Sequence, residues 1–320
     1  MEIQELTAQL SEPLRKHFCK NYNVPIKIFA DPYFTDRCVL FDEMFKVKEK
    51  LQEYIADVNS FVNDQAFLAY NNKAMQSVID YLKSNTDMNY FSKAENMNKY
   101  AIPDKYRNLS SKDVWKDSCN EKMYVSIDLI KANFQALKHY SKNIFGESDS
   151  WEEFLLKFTD KNSMLHSKHL RQVIFGCVNP KRQIIYEKYL MCKILEKIEP
   201  MIKENVIYSL SNDEIILDVG ECFTSKLGTL LDYIRAQIKG LHLSCHINVF
   251  SVHKIGKDMY KQTFTKGFSD SVGIKFKKVN HLMMPFVIRK FKEQSPSEDD
   301  FVFVNEAGNL CKFLENPLKN

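Results

Sequence analysis

The 320-residue chain is poor in the two residues that most often break regular structure: it has nine glycines and nine prolines. That excludes collagen-like, Gly-rich and Pro-rich architectures. Its eight cysteines (Cys19, Cys38, Cys119, Cys177, Cys192, Cys222, Cys245 and Cys311) contain no C-x-x-C pair, which argues against a zinc ribbon or a dithiol redox motif. In a chain this long the scatter implies free thiols in a reducing compartment, and so a cytoplasmic protein. No apolar run approaches the ~20 residues that a bilayer-spanning helix needs, and no membrane partner is expected. The opening stretch MEIQELTAQLSEPLRKHF is charged throughout and lacks the apolar centre of a signal peptide. Neither sign of charge dominates: 45 Lys and Arg stand against 41 Asp and Glu, a net charge of +4, which is only a slight pull toward an acidic partner. No internal repeat is visible.

What is present is a large apolar fraction, 44%, enough for a sizeable core and two or three domains. Residues 1–84 read as mainly helical. Ile3, Leu6, Leu10 and Leu14 have helical spacing, with Pro13 interrupting. Amphipathic patterns follow over 40–61 and 65–83, and VPIKIFA (24–30) has the alternation of a strand. Residues 85–121 form a boundary, because the stretch 84–113 is polar and rich in Asn and Ser. From Met123 the pattern changes. MYVSIDL alternates Met123, Val125, Ile127 and Leu129 against Tyr124, Ser126 and Asp128, which predicts a half-buried strand ending in an acid. A helical pattern follows it. Helical segments are then predicted over 151–159, 164–176 and 181–203, the last capped by Asn179-Pro180. A hairpin is expected at 206–219, a helix at 223–239 and a strand at 241–252.

Residues 122–255 therefore read as β, α, a helical insertion (151–203), β, β, α, β. The fold class is α+β: a ferredoxin-like split βαββαβ with a helical insertion, preceded by a mainly helical N-terminal region. One face of such a sheet lies under its helices and the other is open. Tyr124, Ser126, Asp128, His242, Ser244, His246 and Asn248 are predicted on the open face. Residues 256–320 form a basic C-terminal region ending in a hairpin around Glu306-Ala307-Gly308-Asn309.

The hairpin VIYSLSNDEIILDV (206–219) carries acids at its tip, and Asp128 ends the strand expected beside it. Carboxylates brought that close repel unless a cation lies between them, and Mg²⁺ prefers carboxylate and phosphate oxygens. A two-residue Ser211-Asn212 turn puts Glu214 on the face of Asp128, whereas a wider turn frees Asp213 to point there. Asp128 would also serve as the N-cap of the following helix, and Asn-Asp is ordinary turn chemistry.

SIDLIKANF (126–134) resembles the first motif of the palm of nucleotidyltransferases. YSLSNDEIIL (208–217) resembles its third, in the S-x-D-E or G-D-E-F form. This palm is shared by DNA polymerases, reverse transcriptases, GGDEF-type cyclases and tRNA-histidine guanylyltransferases. KHLRQVIFGCVNPKRQIIYEKYL (168–190) is similar in position and basicity to the fingers helix of family B polymerases. The chain departs from the pattern in having Ser211 or Asn212 where the tip glycine usually stands, and in placing Phe134 one position later than the usual aromatic. No 3′–5′ exonuclease motifs precede the palm-like segment. The resemblance implies nucleotidyl transfer. Asp128 and Asp213 would hold Mg²⁺ (or Mn²⁺), with Glu214 supporting. Lys168, Arg171, Lys181 and Arg182 would contact a nucleoside triphosphate, and a DNA or RNA strand would be the second substrate. The alternative is a non-catalytic nucleic-acid- or protein-binding module on the same fold.

KFKK (275–278) and RKFK (289–292), interleaved with Phe276, Phe286 and Phe291, suggest a nucleic-acid patch through Lys275, Lys277, Lys278, Arg289 and Lys290, unless the rings are core. Lys188, Lys193 and Lys197 are equally a solvated face paired with Glu187, Glu196 and Glu199. His242 and His246 would be ~13 Å apart on one strand, too far to share an ion. His166 and His169 could ligate a metal but lack an apparent third ligand.

Overall fold

The computed structural model describes the whole chain except residues 94–98, 110, 179, 203–205, 221–225 and 319–320. It is α+β, with two compact units interleaved in sequence: 1–80, 149–176 and 279–320 form the first, and 81–148 and 177–278 the second. Among the described residues no helix is long and apolar enough to cross a membrane, and the seven described cysteines are free thiols.

The first unit is largely helical. Pro13 starts a helix rather than breaking one: Ile3–Thr7 is followed by Glu12–Asn21, with Pro13 in its first turn, where a missing N–H goes unnoticed. The pattern expected over 40–61 is two helices, Tyr33–Phe45 and Val47–Val58, because Lys46 between them is left-handed at φ 52°. The strand expected at 24–30 does not form. Val24, Ile26 and Ile28 are buried, but the segment joins no β-ladder, and the Arg15 guanidinium donates to the Phe29 carbonyl at 2.7 Å. The terminal hairpin forms as expected, Val302–Val304 against Leu310–Lys312, with Gly308 at φ 86° in its turn.

A buried carboxylate ties the end of the chain into this unit. Asp300 is 2% exposed. It accepts from the guanidinium of Arg37 on the helix Tyr33–Phe45, from Arg289 Nε at 2.9 Å and from the Ser297 N–H at 2.8 Å. Two cations and a backbone donor compensate its desolvation. Removing it leaves two guanidinium groups facing one another, one of them buried.

The second unit is built on a six-stranded antiparallel sheet in the order β2-β3-β1-β4-β5-β6. The strands are β1 Met123–Leu129, β2 Ile207–Leu210, β3 Glu214–Asp218, β4 Cys245–Gly256, β5 Met259–Phe264 and β6 Ile274–Lys277. The helix Pro180–Ile198 packs against Ala132–Tyr140, Leu227–Gly240 and β3, and Leu227–Gly240 packs against β4. The apolar parity of the strands, including Val125, Ile127, Ile215, Leu217 and Val249, is fully buried. Asn179 and Phe223 lie outside the described residues.

Two expectations need correction. The strand read at 241–252 begins at Cys245 and runs to Gly256; His242 takes a left-handed φ of 55°, and Ser244 joins the sheet only through its carbonyl, which accepts from the Ile130 N–H at 3.0 Å. The second face is also not open along its whole length. Val114, Trp115 and Cys119 fold over Tyr124, Ile216, Phe250, Val252, Tyr260 and Phe264. Tyr124, Ser126 and Asn248 are therefore buried, while Asp128 is half-buried and His246 exposed. β5, unforeseen in the sequence, and β6, where KFKK (275–278) reads equally as nucleic-acid patch or packed strand, widen this face.

The Asp300 cluster gives a stability expectation. Asp300→Ala should lower the unfolding free energy by about 3–5 kcal/mol, the usual result of stripping one partner from a buried ion pair. Urea titration of the two proteins side by side measures it, and a loss below 1 kcal/mol would contradict the structural role.

Candidate functional site

The register of the two central strands sets the site. β1 and β3 run antiparallel with Asp128 directly opposite Glu214. The Leu129 N–H donates to the Asp213 carbonyl at 2.9 Å, so Asp128 and Glu214 form the non-hydrogen-bonded sort of cross-strand pair. In such pairs side chains approach most closely, about 4.5–5.5 Å between Cβ atoms. Like charges in that position repel.

The hairpin tip explains why Glu214 is the residue that faces Asp128. Leu210 pairs with Ile215, and the Ser211 N–H donates to the Glu214 carbonyl at 2.8 Å. The turn is therefore centred on Asn212-Asp213, one residue later than the two-residue turn first considered. Ser211 holds it: its Oγ accepts from the Glu214 N–H at 2.9 Å and donates to the Asp213 carboxylate at 3.2 Å. Asp213 is exposed at the tip, while Glu214 is half-buried at the start of β3.

The Glu214 carboxyl is pushed up to about 7 from its ordinary 4.5. Burial is the larger cause, and the charges of Asp128 and Asp213 add to it. Lys277 and Lys275 oppose the shift. Both lysines lie on β6, opposite Tyr260 and Gln262, and the register carries them to the face of Asp128 and Glu214. They have neighbours of their own. Lys275 Nζ sits 5.0 Å from the Phe264 ring centre and Lys277 Nζ 5.2 Å from that of Trp115. Lys278 donates to the Trp115 carbonyl at 2.9 Å and pairs with Asp113.

A fourth acid was missed in the sequence. Glu187, on the helix Pro180–Ile198, is 5% exposed and accepts from Asn133 Nδ2 at 3.3 Å. Burial first, and the Asp213 charge second, push its carboxyl up to about 7. The next residue, Lys188, donates to the Leu210 carbonyl just before the turn, so it is neither a solvated nor a phosphate-facing cation here. The signal for Glu187 was its spacing: Gln183, Glu187, Leu190 and Ile194 fall on the buried stripe of the helix.

The remaining candidates disperse. Lys181 is exposed and Arg182 half-buried in the first turn of that same helix, about 9 Å of helical rise from Glu187. Lys168 and Arg171 belong to the first unit, on the helix Lys168–Gly176. Lys168 is exposed, and burial lowers the pKa of the Arg171 guanidinium. Arg289 and Lys290 are also in the first unit. Arg289 is engaged by Asp300, and Lys290 is exposed. Of the rings meant to interleave with them, Phe286 is core at 1% exposure. His166 lies 3.4 Å from Glu53.

Among the described residues no three His, Cys, Asp or Glu side chains form a group that could cage a metal. The facing pair of Asp128 and Glu214 nevertheless supplies carboxylate oxygens from two strands. It suits Mg²⁺, which is typically held by one or two carboxylates and completes its shell with water and substrate phosphates. Comparison with protein-family models, curated proteins and solved structures finds no match to this chain.

The two raised carboxyls fix a pH dependence. Each keeps its proton in the folded chain at a pH where the unfolded chain has lost it. Their favourable contribution is therefore complete below 4.5 and fades as pH rises through about 7. In EDTA, Glu214→Gln should be more stable than the parent at pH 8 by roughly 1–3 kcal/mol, with the difference closing at pH 5. Thermal melts at both pH values check this. An equal or lower midpoint for the variant at pH 8 would show that the carboxylate is not repelled.

Proposed function

We propose that the sheet of the second unit is a ferredoxin-like palm and that it carries out metal-dependent nucleotidyl transfer onto a nucleic-acid strand. The topology supports this reading. The order β2-β3-β1-β4, all antiparallel, is that of a split βαββαβ. A helix, Ala132–Tyr140, follows the β1 acid, and another, Leu227–Gly240, links β3 to β4. The observation that carries the proposal is the facing of Asp128 and Glu214, contributed by stretches of chain 86 residues apart, on neighbouring strands.

In this reading Asp128 and Glu214 hold Mg²⁺ (or Mn²⁺), and Asp213 at the exposed tip supports them. The ion supplies charge neutralisation for the attacking hydroxyl and for the departing pyrophosphate. A strand hydroxyl oxygen bonds the α-phosphorus of a nucleoside triphosphate, the α–β phosphoanhydride breaks, and pyrophosphate leaves with the bonding electrons. The hydroxyl proton passes to solvent. Lys181 and Arg182 provide cations for the triphosphate, and Lys275 and Lys277 supply positive charge for the strand on the same face of the sheet as the acids. Positioning and electrostatics do most of the work, as in phosphoryl transfer generally.

One observation favours a second reading. Lys275 and Lys277 already offset the charge on Glu214, so they could replace the cation in a non-catalytic nucleic-acid-binding palm. The two readings separate on activity. Asp128→Asn and Glu214→Gln should each reduce Mg²⁺-dependent incorporation of labelled nucleotide on a primed strand by about a hundredfold or more. The Gln variant should fold at least as well as its parent, so unfolding is not the cause. Undiminished incorporation in both variants would refute catalysis at this pair. Salt-sensitive strand binding that ignores EDTA, with no incorporation, would select the binding module.

A further inference from the structure

Away from the acids, the second unit gathers tyrosines from four stretches of chain. Tyr90 lies on the helix Thr86–Phe91, Tyr100 follows Lys99 where the described residues resume, Tyr140 is at the end of Ala132–Tyr140, and Tyr186 and Tyr189 are on Pro180–Ile198. The rings of Tyr100, Tyr140, Tyr186 and Tyr189 contact one another directly. Tyr100 sits 4.7 Å from Tyr186 and 5.0 Å from Tyr189 between ring centres, and Tyr140 sits 5.7 Å from Tyr186.

The cluster is graded from inside to outside. Tyr186 is 3% exposed and Phe91 beneath it fully buried. Tyr100, Tyr140 and Tyr189 are half-buried, and Tyr90 is 50% exposed. Tyr90 is within electrostatic reach of both Lys99 and Tyr140, which joins it to the group. A core that served packing alone would favour Leu, Ile and Phe. Tyrosine keeps a flat apolar face available and its hydroxyl wet.

Three of the outer rings also carry a lysine. Lys93 Nζ lies 5.9 Å from the Tyr90 centre, Lys99 5.1 Å from Tyr100, and Lys193 5.5 Å from Tyr189. Lys93 and Lys99 are exposed, and Lys193 shares its charge with Glu196 at 3.0 Å. A surface on which ammonium groups sit against tyrosine rings matches one polymer closely: bases for the ring faces the lysines leave and phosphates for the cations. Duplexes hide their base faces, so the match is to a single strand.

We infer that the Tyr90, Tyr100, Tyr140 and Tyr189 surface, with Lys93 and Lys99, is a binding platform for single-stranded nucleic acid. It is separate from the Lys275–Lys278 segment and does not depend on catalysis at Asp128 and Glu214. Strand capture here would persist in EDTA.

The probe is a fluorescein-labelled dT20 strand, with rU20 as the ribose counterpart and a 20-bp duplex as control. The readout is anisotropy with the full chain in EDTA. Single strands should bind and the duplex much more weakly. Tyr90→Leu and Tyr100→Leu keep apolar bulk but remove the stacking face, and each should weaken binding by roughly fivefold to a hundredfold. Tyr100→Phe should bind like the parent, which a hydroxyl-based or merely structural role does not require. Lys93→Glu with Lys99→Glu should weaken binding further and flatten its salt dependence by about 0.7 logarithmic units of slope per lost phosphate contact. Melting curves confirm that the Leu variants fold. The platform is refuted if the parent binds no strand at low salt, if duplex binds as well as dT20, or if folded Leu variants keep parental affinity.

Discussion

Two carboxylates are held opposite each other because the backbone leaves them no alternative. Asp128 and Glu214 belong to adjacent antiparallel strands whose ladder fixes their pairing. A slip of one residue would turn Ile127, Ile215 and Leu217, all fully buried, toward the wrong face. The burial of that apolar layer therefore keeps the acids together against their repulsion. Ser211 adds a local constraint by closing the turn so that Glu214, and not Asp213, opens β3.

The surroundings of the pair divide the sheet face in two. One end is sealed by Val114, Trp115 and Cys119 over Tyr124 and Phe250, which fastens the segment before β1 onto the sheet. The other end keeps Asp128, Glu214 and His246 at or near the surface, while Lys275 and Lys277 lie on the same face beside Phe264 and Trp115 of the seal. Sealing one end gives the polar end a stiff, dry floor, which strengthens every charge interaction above it. The helix Pro180–Ile198 acts from outside the sheet. Lys188 holds the Leu210 carbonyl and Glu187 feels Asp213, so two successive residues link this helix to the hairpin tip. On the same helix, Tyr186 and Tyr189 enter the tyrosine cluster.

Local periodicity was readable where one force decided the outcome. β1 was legible because its alternation is strict and both its neighbours are strands. The hairpin was legible from two apolar runs around a polar knot, and the turn to within one residue. Residues 24–30 carried the same alternation and yet formed no strand, because pairing is a property of the neighbour as much as of the segment. β5 was missed, and β6 was weighed only as an alternative, for the converse reason: Met259–Phe264 and Ile274–Lys277 mix lysine and threonine with aromatics, and only the pairing of β5 with β4 and of β6 with β5 makes them strands. Glu187 was passed over because charges were counted by their sign and not by their position on the helix. The segment 114–119 has no period at all, so its role as a cover over Tyr124 could not be read from spacing.

The central claim is that the Asp128 and Glu214 carboxylates share a small volume that a divalent cation can enter. Carbon-13 NMR of the Glu214 side-chain carboxyl, titrated from pH 4 to 9 with and without Mg²⁺, tests it most directly. The account predicts a midpoint near 7 in EDTA, falling when Mg²⁺ is added and recovering toward 7 in an excess of chelator. A midpoint at the ordinary 4.5 in EDTA, or one near 7 that Mg²⁺ leaves unmoved, would contradict it.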